Sequence, residues 1–155
     1  MSDELFQPSL KNQNYEGLKS YNITKLFYVA FIGGIIPTIA LGSKNAKWLG
    51  IDKKYINFMM ILGGIILFIK FTVCGLVVAN YLDVSSRKIR YIYKIASVFI
   101  YIGYSFLMRD KFNLYNIMDH SYQPMLKDAI KWIIIAIIVE GILALIVGGI
   151  INSVL

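Results

Sequence analysis

The chain has 155 residues, of which 57% are hydrophobic and 16% charged, with a formal net charge of +7. Its mean hydropathy is +0.63. A soluble domain carries about a quarter charged residues and no long apolar runs, so this balance excludes one. The basic surplus fits loops at lipid headgroups rather than nucleic-acid reading.

Residues 1–24 are polar, mixed in charge and without periodicity, which predicts a tail outside the membrane unit. Residues 25–155 contain four apolar runs, at about 26–43, 55–81, 91–108 and 132–154. Each is long enough for a membrane helix of about 20 residues. The expected fold is therefore all-α: an integral membrane four-helix bundle with both termini on the same side. A short basic leader is absent before the first run, so that run reads as a retained span.

The first span, "LFYVAFIGGIIPTIALGS", places Ala30, Gly34, Thr38 and Gly42 four residues apart. On one continuous helix they form a smooth ridge for close packing, with a kink expected at Pro37. The turn that follows carries Lys44, Lys47, Lys53 and Lys54, with Trp48 at headgroup depth. The second span holds Lys70 and the single Cys74, a small buried apolar residue by default. The next turn carries Arg87, Lys88 and Arg90. Both basic groups are candidate contacts for anionic headgroups or for an anionic ligand.

In the third span Tyr93, Ser97, Tyr101 and Tyr104 fall within an arc of roughly 80° at 100° per residue, opposite an apolar face. They are candidates to line a pore or an interface, while Lys94 snorkels to the surface. Residues 109–131 read as the longest loop, with Phe112, Tyr115, Met118 and Tyr122 suited to an interfacial helix and His120 solvated. Pro124 and Asp128 suit the start of the last helix, which carries Glu140.

Spans two and four start from the same side. Lys70 then lies about 22 Å along its helix and Glu140 about 12 Å, and lysine leans back toward its helix N-terminus. An ion pair between them is feasible, within one chain or between subunits. A lone central charge costs about 2.5–3.5 kcal/mol on insertion scales, which favours such a pair facing protein or water. Four crossings put six basic residues on the terminal side (Lys11, Lys19, Lys25, Arg87, Lys88, Arg90) and eight on the other, which leans only slightly toward a cytoplasmic position for the loops at 44–54 and 109–131.

No phosphate-binding glycine loop, metal-ligand cluster or nucleophile–base pair occurs, so no enzymatic activity, cofactor or metal is expected. The leading expectation is a homo-oligomeric pore or ion-channel-like effector, gated by an anionic ligand at the basic loops. The alternatives are an accessory or immunity-type subunit that binds a partner protein, and a small proton-coupled exporter using Glu140. "FIGGIIP" followed by "SKNAKWLG" resembles the start of a group of small uncharacterised bacterial four-helix membrane proteins, over residues 26–50. Here Pro37 stands apart from the glycine pair. That resemblance implies a bacterial inner-membrane setting and no particular activity.

Overall fold

A computed structural model describes residues 19–117 and 121–154. The expected tail at 1–18, together with Met118 and His120, lies outside the described residues. Five helices follow in order: α1 (Ile23–Gly33), α2 (Ile35–Trp48), α3 (Lys53–Val78), α4 (Ser86–Ile117) and α5 (Leu126–Val154). All described regular structure is helical. Three helices, α3, α4 and α5, are long and apolar enough to cross a membrane.

The first apolar run does not form one span. Asn22 caps α1 by accepting from the Thr24 N–H, and α1 ends where the Gly34 N–H bonds Ala30 O. Gly34 adopts φ 80° and ψ −159°, a backbone region essentially confined to glycine. The chain reverses there, three residues before Pro37. Pro37 falls in the first turn of α2, where its missing N–H has no intrahelical partner to lose. The expected kink at Pro37 is thus a reversal at Gly34, and Ala30 sits on a different helix from Thr38 and Gly42. All four small residues are buried, but they form no single ridge.

At 11 and 14 residues, α1 and α2 are about 16 and 21 Å long. They lie side by side as a half-length hairpin. At its open base the Tyr21 and Trp48 rings are 4.8 Å apart, and the Tyr21 N–H donates to Asn45 Oδ1 at 2.7 Å. At its tip Gly34 meets Tyr93, near the start of α4. Ser20 and Tyr21 are buried in this base, so the described end of the expected tail is packed.

Gly50 (φ 69°) ends α2 in a left-handed turn, with Ile51 N–H returning to Ala46 O. Asn80 (φ 61°) does the same after α3 and tolerates that region unusually well for a side-chain-bearing residue. The hairpin base, the starts of α3 and α5 and the end of α4 share one end of the bundle, the basal end. The α3–α4 turn and Ser153 occupy the other, the apical end. Ser20 therefore lies at the basal end and Ser153 at the apical end, because the hairpin returns to its own side.

α4 also runs further than its apolar run, through residues read as loop. Tyr115 stays buried on the core-facing side and donates to Ser121 O at 2.7 Å, while Phe112 stacks on Tyr122. Residues 109–117 are thus helix continuing past the apolar zone, not a separate interfacial segment.

The hairpin fills the bundle, with α2 packed against α3, α4 and α5. Glycine permits the closest approaches. A β-carbon at Gly42 would lie 2.8 Å from the Tyr104 ring, which cannot retreat easily because its hydroxyl bonds Ser43 Oγ at 2.6 Å. At Gly64 nothing lies within 4 Å. Gly42→Ala is therefore expected to cost about 1–3 kcal/mol as overpacking. Gly64→Ala should cost nothing, which denaturant titration of the two variants in micelles will compare.

Candidate functional site

Three helices converge on the hairpin tip. Lys70 of α3 donates from Nζ to Glu140 Oε2 of α5 at 2.5 Å, within one chain. Tyr93 of α4 donates from its hydroxyl to Glu140 Oε1 at 2.8 Å, and the Lys70 ammonium lies 3.8 Å from the Tyr93 ring centroid. Glu140 thus accepts on both oxygens, and Tyr93 serves both charges, one through its hydroxyl and one through its ring face. The lysine and glutamate side chains are 17% and 26% exposed, so water is largely excluded from the pair.

Gly34 completes the site. Its β-carbon would stand 3.1 Å from Tyr93 Cε1, so the tip closes on the ring only because no side chain is there. From this point a cavity of about 500 Å³ extends to Ser86 and the exposed Arg90 at the apical end. Its walls include Cys74, Lys94 and Ala136 as well as the pair. Toward the base the interior is filled: Ile35, Leu41, Ile100, Tyr104 and Met108 are almost fully buried. The hairpin tip bounds the cavity on the basal side, so it forms a vestibule that does not reach the base.

The tyrosine stripe divides here. Tyr93 reaches the cavity. Ser97 turns back to the carbonyls of Tyr93 and Lys94, Tyr101 packs its ring on Phe27, and Tyr104 packs on Gly42. These three therefore face the hairpin, which covers them, and line no open path.

The basic candidates separate by end. Lys44 bonds Asp128 at 2.5 Å and lies 4.8 Å from the Trp48 ring, so it is engaged in holding the hairpin base to α5. The Tyr21 hydroxyl also donates to Asp128. Burial first, and the Asp128 carboxylate second, raise the Tyr21 pKa above the usual phenol range, which keeps that donor protonated at neutral pH. Lys47, Lys53 and Lys54 are exposed at the base, Arg87 and Lys88 at the apex, and Arg90 at the vestibule rim.

Sequence reasoning missed Lys94 as a wall of the cavity and Gly34 as its stop. The glycine pair at 33–34 was the available signal for the latter. No available signal tied Tyr21 to Asp128, 107 positions apart. Among the described residues no group of three or more His, Cys, Asp or Glu side chains could hold a metal ion. Comparison with protein-family models, curated proteins and solved structures gives no match.

Proposed function

We propose that the chain is a multi-pass membrane protein of the pore or channel class, in which three helices cross the bilayer and the hairpin re-enters from the basal side. The observation that carries this reading is the vestibule that ends on Lys70, Glu140 and Tyr93 at the hairpin tip. Ionised groups within a bilayer mark ion and substrate paths by default, and irregular backbone at that depth is tolerated where it is buried or lines a cavity. Only displacement of the whole hairpin, which fills the bundle below the tip, would join the vestibule to the base.

With the hairpin returning to its own side, the basic residues redistribute. Lys19, Lys25, Lys44, Lys47, Lys53, Lys54, Arg109, Lys111, Lys127 and Lys131 belong to the basal end, and Arg87, Lys88, Arg90 and Lys94 to the apical end. Ten against four supports a cytoplasmic base under the positive-inside rule, with the vestibule opening outward in a bacterial inner membrane. Assembly into a homo-oligomer is supported by Gly64, Gly141, Gly148 and Gly149, none of which has a neighbour within 4 Å to meet a β-carbon. Such open small residues suit close contact between membrane helices.

A second reading, the non-transporting subunit, draws on an apolar groove between α3 and α5 lined by Leu67, Phe71, Gly75, Leu143, Val147 and Ile150, which would seat a partner helix. The exporter reading is weaker, because Glu140 is engaged by two partners. Proteoliposomes with verified incorporation are expected to pass current that Glu140→Gln alters. Tight vesicles would reject the pore reading, and capture of the chain only as a stable hetero-complex would favour the second.

A further inference from the structure

The vestibule carries more positive than negative charge. Three cations, Lys70, Arg90 and Lys94, line it against one carboxylate, Glu140, and that carboxylate is already bonded on both oxygens. Among the described residues the only ion pairs are Lys44 with Asp128 and Lys70 with Glu140, so Arg90 and Lys94 have no acidic partner. Lys94 instead directs its ammonium to the Phe31 ring, 5.1 Å from the centroid, on the hairpin. Apart from Ser86 and Tyr93 the rest of the wall is mostly apolar, from side chains such as Ile32, Val77, Ile89, Ile133 and Ile137. At about 500 Å³ the space lies within the range of small-molecule sites.

An inorganic ion would leave most of that apolar wall unused, and a cation would meet two positive charges that have no acidic partner. We propose that the vestibule binds an amphipathic anion, its acidic head between Arg90 and Lys94 and within reach of Lys70, and its apolar body against the isoleucine-rich wall. The head replaces the missing carboxylate and leaves the Lys70–Glu140 pair intact. The inference rests on the pore reading only in naming what would enter; occupancy of the site is independent of current. Such an anion reaches the site either from the aqueous phase, as a free carboxylate, or from the bilayer, as an anionic lipid.

Cys74 is the single cysteine of the chain and lines the same cavity, so its alkylation reports occupancy. The full chain in zwitterionic vesicles is treated with a neutral maleimide in the presence of octanoate, octylammonium or octanol. Octanoate is expected to slow labelling about tenfold at about ten times its dissociation constant, and the other two to have little effect. Arg90→Gln with Lys94→Gln should abolish the protection while leaving the thermal unfolding midpoint in place. Protection already present in vesicles containing phosphatidylglycerol, before octanoate is added, identifies the lipid source; protection only on addition identifies the free carboxylate. Equal protection by octanol or octylammonium, no protection in any vesicle, or protection that survives the double substitution overturns the proposal. Protection by octanoate in vesicles that pass no current keeps the site and rejects the pore. Current without protection does the reverse.

Discussion

Glu140→Gln alone is expected to destabilise the chain by about 3 kcal/mol, the insertion-scale cost of one uncompensated charge near a helix centre. The substitution leaves the Lys70 ammonium beside a neutral amide in a site that is 17–26% exposed, and the Tyr93 hydroxyl with a weaker acceptor. Lys70→Met should be less damaging, because Glu140 keeps the Tyr93 hydroxyl at 2.8 Å. The double variant removes both charges and is expected to recover about 1–3 kcal/mol relative to the sum of the single changes. Removing one partner of a buried pair commonly costs more than replacing both. Denaturant titration of the four proteins in micelles measures the coupling. Strict additivity would mean that the two charges do not meet in the bilayer.

Gly34→Ala is expected to be damaging on two counts, backbone strain and contact. Its φ of 80° with ψ of −159° costs a side-chain-bearing residue about 1–3 kcal/mol before any contact is considered. The added carbon would also stand 3.1 Å from the Tyr93 ring, which is tethered through its hydroxyl to Glu140 and has little room to retreat. The substitution therefore opposes hairpin reversal and pair geometry together, and Cys74 labelling should accelerate as the tip loosens. Gly50→Asn is the control. Gly50 also has positive φ, at 69°, but in the left-handed region that asparagine enters, with nothing within 4 Å. It should unfold close to the parent, and equal damage from both changes would show that the tip has no special demand for glycine.

The two intramembrane charges were legible in the sequence because an ionised residue inside an apolar run stands out, and helix rise fixes its depth. Lys70 and Glu140 on parallel helices could be brought near each other by arithmetic alone. The tyrosine stripe was legible as a face, but not what covers it, since periodicity describes one helix and not its neighbour. The hairpin was hidden for a different reason. Residues 26–43 have the length and apolarity of a span, and hydropathy contains no term for direction. Only the backbone at Gly34 reverses the chain, and a glycine pair in an apolar run is equally compatible with packing. The end of α4 was misread because the charged triplet at Arg109, Asp110 and Lys111 resembles the end of an apolar segment, whereas helix formation continues wherever a side chain such as Tyr115 still finds cover.

The base of the hairpin has a consequence for how the molecule is made. α1 and α2 are each too short to cross alone, and the partners that hold them come later: Tyr104 on α4, Gln123, whose N–H bonds Ser20 O, and Asp128 on α5. During synthesis α1 and α2 meet α3 and α4 first, and gain the contacts of Tyr21 and Lys44 with Asp128 only once α5 has been made. Without α5 the hairpin base would lack its clasp at Asp128, so limited proteolysis should cut near Tyr21 and Trp48 faster when that contact is removed.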